Sequence, residues 1–297
     1  MQFTPADFLK RLQEVDALIA KEQEGEFEFA HLSFQEYLAA VEIKATHQEA
    51  CLLEVFDDAE KLAWWAETMK LYAAQGDATR LIEAALADPT LEKLLLAIDF
   101  WQGAVTVDAP VQTALLEKLH EPLQGLEGDD LAYAKEITPR YFKLAFYLQT
   151  QQWQAADQET YLVMKAVGDR EQKGYLYLED LRQFPCADLR VIDQLWVRYS
   201  NGRFGFSVQK QIWVEVGGKL DFGKDRDAAI TAFEKMSDRI GWRVNGKYLG
   251  YSQVTFGTSA PPAHLPASPI HLPFILGALV GGGVVSFLAS RLVNCSR

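Results

Sequence analysis

The stretch from Gly174 to Trp213 constrains the fold of this 297-residue chain most, because it places a sharp reversal between two helical patterns. Asn201-Gly202 supplies the backbone freedom that a tight turn needs. Phe204 and Phe206 follow at once, and we expect both side chains to enter the interior. Ser207 stands where the N-cap of the next helix would fall. The segment therefore predicts two helices that meet at a tight turn around an aromatic core.

The helix before this turn is marked by apolar residues at helical spacing. They are Leu189, Ile192, Leu195, Trp196 and Tyr199. Asp188 stands just before them and can cap the helix through its carboxylate. Upstream, residues 141–148 and 153–167 predict an antiparallel helix pair. The pattern is that of a compact helical core, and it contains no catalytic signature.

Three segments of this region carry a family resemblance. They read FPCADLRVIDQLWVRYSNGRFGFSVQKQIW (184–213), IGWR (240–243) and SAPPAHLP (259–266). Together they resemble the genomes-uncoupled-four family over residues 137–266, and Trp153, Ala156, Asp157 and Thr160 match its W-x-x-A-D-x-x-T unit. The resemblance implies a compact helical domain that binds protoporphyrin IX or Mg-protoporphyrin IX, and its best-known members activate magnesium chelatase in chlorophyll synthesis. The porphyrin-binding subunit of that enzyme is the implied protein partner.

A flat macrocycle needs a wide apolar cleft with cationic groups at one rim for its two propionates. Carried onto this chain, the family's cleft has two leucines as its floor, three aromatic residues as its wall and two arginines as propionate partners. These candidate ligand-binding residues are, in that order, Leu178, Leu181, Trp242, Tyr248, Tyr251, Arg203 and Arg243. Each also has a structural interpretation, because the leucines can be core residues, Trp242 can anchor its loop and Arg203 can fix the turn.

The chain departs from the chelatase-activating members in three places. The late loop reads Tyr248-Leu249-Gly250-Tyr251 where theirs is rich in tryptophan, and Tyr161 stands where they have an arginine. After residue 266 the chain continues into a Pro-rich stretch and an apolar segment instead of a further basic helix. The resemblance therefore supports porphyrin binding better than it supports chelatase activation.

The first part of the chain is strongly acidic. Residues 1–135 contain 10 basic and 26 acidic residues, whereas residues 136–266 contain 17 and 15. We predict a boundary at this change, with Gly125–Asp130 as linker, so the domains are 1–135, 136–266 and 267–297. An acidic segment should not bind nucleic acid, and the remainder has no basic stripe with interleaved aromatic residues, so nucleic acid is excluded as a partner.

Residues 27–40, FEFAHLSFQEYLAA, resemble the helical region that follows the nucleotide-binding core in NACHT-type NTPases. The chain contains no G-x-x-x-x-G-K-[ST], so ATP hydrolysis is not predicted. Ser33 and Glu36 read as a capping box that begins a helix. That helix is expected to bury Phe34, Tyr37, Leu38 and Val41, and Trp64-Trp65 is expected to lie in the core of a stack of helix pairs.

Residues 248–290 contain no charged side chain, and 272–289 read LPFILGALVGGGVVSFLA. As a helix these residues would span about 27 Å, enough for the hydrocarbon core of a bilayer. The alternative is a buried hairpin or core helix, which the run Gly281-Gly282-Gly283 would favour. We predict a C-terminal transmembrane helix that anchors the protein, with most of the chain facing the cytoplasm or a plastid stroma.

Cys51, Cys186 and Cys295 stand far apart, without C-x-x-C or a histidine at ligand spacing. They predict neither a disulfide nor a zinc site, and they suit a reducing compartment. No nucleophile elbow, HExxH or phosphate loop is present, so the chain is not expected to be an enzyme.

The prediction is an all-α protein, with stacked helix pairs before a tetrapyrrole-binding domain and a membrane helix. Its function would be a non-catalytic carrier or regulator of tetrapyrrole synthesis. The alternative is a NACHT-related signalling or scaffold protein that uses the second domain as a sensor.

Overall fold

We describe the protein from a computed structural model that covers residues 19–23, 26–29, 31–170, 176–220, 225–268 and 278–295; for 19–23, 26–29, 226 and 278–282 it describes the backbone alone. The chain divides into two compact units, Met1–Lys118 and Leu119–Arg297. The acidic helices belong to the first unit, and the segments that carry the family resemblance belong to the second. The predicted domain boundary lay at residue 135.

The first unit begins with an antiparallel strand pair and continues as helices. Its elements are β1 Ile19–Gln23, β2 Glu26–Phe29, α1 Leu32–Ala45, α2 Ala50–Leu53, α3 Ala59–Ala73, α4 Thr79–Ala87, α5 Leu91–Gly103 and α6 Ala109–His120, which ends just inside the second unit. α1 packs against α3, and α5 packs against both α3 and α4. The hydroxyl of Thr90 caps α5 by accepting a hydrogen bond from the Lys93 amide. The unit is therefore the predicted stack of helices.

Two sequence predictions for this unit are wrong. α1 begins at Leu32 with His31 as its N-cap and no side-chain cap, so Ser33 and Glu36 form no capping box. Phe34, Tyr37 and Leu38 are exposed, and Trp64 is 70% exposed instead of lying in the core. The residues of α1 that are buried against α3 are smaller or lie further along the helix, namely Ala40 and Ile43. An apolar side chain at helical spacing can face a partner or solvent as well as the core, which the spacing alone does not decide.

The second unit consists of helices with one short hairpin. Its elements are a 3-10 turn at Glu121–Gly125, α7 Gly128–Glu136, α8 Thr138–Gln149, α9 Trp153–Val167, α10 Leu178–Arg182, α11 Cys186–Tyr199, α12 Phe206–Glu215, α13 Arg226–Ile240, β3 Arg243–Val244, β4 Lys247–Tyr248, a 3-10 turn at Tyr251–Gln253 and α14 Ala278–Cys295. α8 and α9 pack together as the predicted helix pair. The predicted linker at residues 125–130 runs from the end of the 3-10 turn at Gly125 to the first residues of α7.

The C-terminal helix corrects the transmembrane prediction. Among the described residues, every helix falls short of the length or the apolar character that crossing a bilayer requires. Residues 278–289 belong to α14, which packs against α10, α11, α12 and α13, and residues 272–277 lie outside the described part. Its buried side chains are Val284, Val285, Phe287, Leu288, Ala289 and Leu292. A long apolar segment can remove its surface from water either in lipid or in a protein groove. In this protein the segment lies in a groove between helices of its own unit.

The cysteine prediction is also wrong. Cys186 and Cys295 form a disulfide across a sequence separation of 109 residues, and Cys51 is the free, exposed cysteine. The bond joins the first residue of α11 to the last residue of α14. Spacing in the sequence could not reveal it, because only the packing of α14 against the domain brings the two residues together.

Candidate functional site

The turn between α11 and α12 has the geometry that its sequence predicts. Gly202 and Gly205 have φ values of 77° and 133°, in the region that favours glycine. The Ser200 hydroxyl accepts a hydrogen bond from the Phe204 amide at 2.8 Å and closes the turn. α12 begins at Phe206 with Gly205 as its N-cap, so Ser207 is not the cap, and its amide donates to Asp193 Oδ1 at 2.8 Å instead.

The turn drives an aromatic side chain into the centre of the domain, as the sequence predicts. Phe204 is fully buried, and its ring centroid lies 5.6 Å from that of Trp153 and 6.3 Å from that of Trp196. The indole nitrogen of Trp196 donates to the Thr160 hydroxyl at 2.9 Å. The cluster therefore joins α9, α11 and the turn into one rigid core.

We expect Gly205→Ala to lower the free energy of unfolding by about 2–3 kcal/mol, because a side chain at this φ is strained and its space is already filled. A Cβ atom there would lie 2.9 Å from both Asp193 Oδ1 and Val197 Cγ2. Gly202→Ala is the matched control, since its φ is also positive but no heavy atom lies within 4 Å of the added carbon. We expect it to cost about 1 kcal/mol. Equal losses in urea denaturation would contradict this steric account.

The same turn holds the segment from Ala260 to Ser268 against the domain. The Arg203 carbonyl accepts from the Ala263 amide at 2.8 Å, and the Gly205 amide donates to the Leu265 carbonyl at 3.0 Å. Arg203 Nε donates to the Ala260 carbonyl at 2.9 Å. Arg203 is therefore engaged by backbone in this structure, and its proposed role as a propionate partner stays a prediction.

A buried carboxylate secures the end of that segment. Asp157 on α9 is fully buried and accepts hydrogen bonds from the amides of Ala267 and Ser268 at 2.5 and 2.9 Å. Its Oδ2 also accepts from the Tyr251 hydroxyl at 2.8 Å. Burial raises the pKa of Asp157 to about 6, although these hydrogen bonds act in the opposite direction. Asp157 thus holds both the late loop and the 260–268 segment.

A histidine and a tryptophan join α13 to the same segment. Trp242 is fully buried, and its indole nitrogen donates to the His264 carbonyl at 2.8 Å. His264 Nε2 accepts from the Thr255 amide at 3.1 Å, so Nδ1 carries the proton and donates to the Ile240 carbonyl at 2.6 Å. Burial lowers the pKa of His264 and keeps the ring neutral.

The β3–β4 hairpin brings Arg243 and Tyr248 together. The Tyr248 ring stacks on Phe233 of α13 at 5.9 Å, and the Arg243 guanidinium lies 5.8 Å from the centre of the Tyr248 ring. Arg243 also forms ion pairs with Asp238 at 3.1 Å and with Glu234 at 3.6 Å. An incoming carboxylate would share this arginine with two existing acidic partners.

The predicted floor residues lie on the short helix α10. Leu181 is buried, Leu178 is half-buried, and both belong to the hydrophobic cluster of the domain. Asp180 fixes this helix, because its carboxylate accepts from the Tyr177 amide at 2.8 Å and pairs with Arg170 at 2.7 Å. α10 packs against α14, as α13 does.

The apolar groove formed by α10, α11, α12 and α13, hereafter the α14 groove, is occupied by the chain's own C-terminal helix. Polar contacts hold this helix in place as well as apolar ones. Arg291 Nε donates to the Phe184 carbonyl at 2.6 Å, and the Ser286 hydroxyl donates to the Lys219 carbonyl at 2.8 Å. A molecule that enters this groove must displace α14.

The seven predicted site residues fall into separate groups. Leu178 and Leu181 lie on α10, Trp242, Arg243 and Tyr248 surround α13 and the hairpin, Tyr251 contacts Asp157, and Arg203 contacts Ala260. α14 packs against both α10 and α13 and so connects the first two groups. Whether any of the seven binds a ligand stays a prediction.

The sequence indicates no role for His264 and only an N-cap role for Asp188. Asp188 is buried within α11, where its carboxylate accepts hydrogen bonds from Tyr133, Tyr141 and Arg140 at 3.0, 2.5 and 3.0 Å. Burial raises the pKa of Tyr141 and keeps its hydroxyl protonated. The helix begins two residues earlier, at Cys186, so the cap prediction is wrong. The partners of Asp188 stand 47–55 residues away in the sequence, where no local pattern reveals them.

A family model described as GUN4-like matches residues 134–273, a little under half of the chain. These residues form a GUN4-like domain. The match agrees with the resemblance predicted from residues 137–266, and it contains the turn, Asp157, Trp242 and His264. The resemblance of residues 27–40 to NACHT-type NTPases is not supported by the comparisons.

The chain is also similar to individual proteins. A "Ycf53-like protein" of Synechocystis sp. is 28% identical over 221 residues, which is 72% of this chain and 85% of that protein. The "Tetrapyrrole-binding protein, chloroplastic" of Arabidopsis thaliana is 31% identical over 123 residues, 37% of this chain and 46% of that protein. The ligand-free structure of Arabidopsis thaliana GUN4 matches 51% of this chain and 94% of its own, with 23% identity and a TM-score of 0.41.

Proposed function

We propose that the GUN4-like domain binds a tetrapyrrole non-covalently and that the protein regulates tetrapyrrole synthesis without catalysing a reaction. The observation that carries the proposal is the GUN4-like match over residues 134–273, taken with the Arabidopsis relative that is named a tetrapyrrole-binding protein. The ligands proposed are protoporphyrin IX and Mg-protoporphyrin IX. We further propose that this regulation acts through the porphyrin-binding subunit of magnesium chelatase.

The chemistry of the α14 groove suits such a ligand. The helices that form the groove contribute apolar side chains to one hydrophobic cluster, which α14 covers. A porphyrin ring could cover the same apolar side chains in place of α14. Arg243 lies next to α13, with its guanidinium held over the Tyr248 ring. It could therefore pair with a propionate at the rim while the macrocycle lies against apolar side chains.

The test is a titration of the full chain with deuteroporphyrin, followed by tryptophan fluorescence. We expect saturable quenching at micromolar porphyrin, and about tenfold weaker binding for Arg243→Gln, since a hydrogen bond between charged groups contributes about 1.5–3 kcal/mol and Arg243 already has competing partners. Arg239→Gln is the matched control, because Arg239 lies in the last turn of α13, just before β3, and pairs with Glu215 instead. Quenching that does not saturate would overturn the proposal.

A second candidate function is a scaffold whose first unit binds a protein. One observation favours it: α1 and α3 expose apolar side chains at Leu32, Phe34, Tyr37, Leu38 and Trp64. Exposed apolar patches on a charged surface are typical of protein interaction sites. The excess of acidic residues in this unit favours a partner with basic residues around its own apolar patch. If the titration shows no porphyrin binding in any state of the protein, this candidate replaces the first.

A further inference from the structure

The Cys186–Cys295 disulfide stands at a position where it can control α14. It is the covalent bond between the end of α14 and the domain that α14 covers. Both cysteines are half-buried, and their neighbours Pro185 and Asn294 are exposed, so a small reductant or a reducing protein can reach the bond. A structural disulfide enclosed in a core would not have this access.

The contacts that fix α14 at its C-terminal end surround this bond. Arg190, one turn after Cys186, has its Nη1 3.4 Å from the Cys295 carbonyl, and Arg291 Nε donates to Phe184. The guanidinium of Arg182 lies 4.7 Å from the centre of the Phe287 ring. Among these contacts, the Arg190 bond is long and the Arg182 side chain is exposed, whereas the Arg291 bond is short and part-buried. The covalent bond holds them at high effective concentration, and it is the contact that chemistry can switch.

We propose that Cys186–Cys295 undergoes thiol–disulfide exchange with a dithiol reductant, and that this exchange controls access to the α14 groove. The oxidised protein holds α14 in the groove, and reduction raises the fraction of molecules in which α14 is displaced and the groove is open to ligand. The ligand half of this inference rests on the proposed tetrapyrrole binding. The exchange and the release of α14 do not.

The exchange step is balanced by the reductant. A thiolate of the dithiol attacks Cys295 Sγ, the Sγ–Sγ bond breaks, and its electron pair leaves on Cys186 Sγ. The second thiol of the reductant then attacks the reductant sulfur that is bonded to Cys295 Sγ. That bond breaks, and Cys295 is released as a thiolate. The protein gains two electrons and two protons, and the reductant becomes a disulfide.

The fold favours Cys186 as the leaving group. It is the first residue of the 14-residue helix α11, whose N-terminal amides stabilise negative charge. Cys295 is the last residue of α14, and the carbonyl groups at a helix C-terminus disfavour negative charge, so attack at Cys295 is the favoured direction.

The size of the effect follows from how often the groove is open. A ligand that binds only when α14 is displaced has an apparent Kd raised by the inverse of the open fraction. We therefore expect reduction to lower the apparent Kd for porphyrin by the same factor by which it raises the open fraction, so a tenfold larger open fraction gives about tenfold tighter binding.

The test uses the full chain, oxidised and after dithiothreitol, with Cys295→Ser as a form that cannot make the disulfide. Cys51→Ser is the matched control, because Cys51 is exposed and lies in the first unit. Hydrogen exchange of amides 284–295 reports the release of α14 without any ligand, and deuteroporphyrin titration reports access to the groove. The thermal midpoint of each form shows that the variant protein is folded.

We expect faster exchange of α14 amides and tighter porphyrin binding in the reduced protein and in Cys295→Ser, and no change from Cys51→Ser. Equal protection of α14 in all forms would overturn the inference whatever the porphyrin result. Released α14 with equal porphyrin affinity in both states would overturn the control of access alone. Released α14 with no porphyrin binding in any state would support the exchange and overturn the proposed function.

Discussion

Asp157→Asn will lower the free energy of unfolding by about 2–4 kcal/mol at neutral pH, because the amide, although it has the same shape, offers the three buried donors one acceptor oxygen in place of two. Both of its oxygens accept, one from the Ala267 amide and the other from the Ser268 amide and the Tyr251 hydroxyl. An asparagine would turn its NH₂ group towards one of these sets of donors and leave it unpaired. Urea denaturation measures the loss.

Tyr251→Phe is the matched control for this substitution. It removes one hydrogen bond to Asp157 and leaves both backbone amides paired with the carboxylate. We expect a loss of about 1 kcal/mol. If Asp157→Asn were no more destabilising than Tyr251→Phe, the carboxylate would not be what fixes residues 267–268.

Wild type and Asp157→Asn together test how the contribution of Asp157 to stability depends on pH. Burial raises its pKa in the folded protein from 3.8 to about 6, so the folded state binds this proton more tightly than the unfolded chain. The stability that this contributes is fully present below about pH 4 and is lost as the pH rises through about 6. The difference in stability between wild type and Asp157→Asn should therefore shrink by up to about 3 kcal/mol from pH 4 to pH 7. A constant difference would contradict the raised pKa.

Trp196→Ala will have the other large effect, a loss of about 3–5 kcal/mol, because it empties the centre of the aromatic cluster. Trp196 is fully buried, contacts Trp153 at 6.1 Å between ring centroids, and donates to the Thr160 hydroxyl. The alanine leaves a cavity that helices α9 and α11 can only partly close. Denaturation followed by circular dichroism avoids the change in tryptophan fluorescence.

Two control variants separate packing from hydrogen bonding at this residue. Trp196→Phe keeps most of the ring volume and should cost about 1–2 kcal/mol. Thr160→Val keeps the tryptophan but removes its acceptor, which should cost about 1–3 kcal/mol for the buried indole N–H. If Trp196→Ala and Trp196→Phe were equally stable, the cluster would not depend on filling this volume.

The aromatic core is the part of the fold that the sequence predicts best. The turn at residues 200–206, the burial of Phe204 and Phe206, and the helix pair α8–α9 follow from the sequence. The chemistry behind them is local, since an Asn-Gly turn and apolar spacing act over a few residues. The family resemblance was recoverable for the same reason, because it depends on contiguous motifs within residues 134–273.

The candidate site was only partly predictable. The sequence identified Trp242, Arg243 and Tyr248 as neighbours along the chain, and the structure groups them around Phe233 of α13. It could not indicate that Arg203 and Tyr251 engage Ala260 and Asp157, which lie 57 and 94 residues away. Such partners are set by how helices pack, and one sequence contains no signal of that separation.

The sequence by itself determined which segments are helices or turns, where the GUN4-like domain lies, and that residues 278–289 must leave water. The tertiary structure decided which surface covers these apolar residues. α14 is buried in a groove of its own domain and joined to α11 by Cys186–Cys295, a bond between residues 109 positions apart. The free energy of burying apolar surface is nearly independent of what covers it, so composition fixes the need for burial, while only the packed chain fixes the partner.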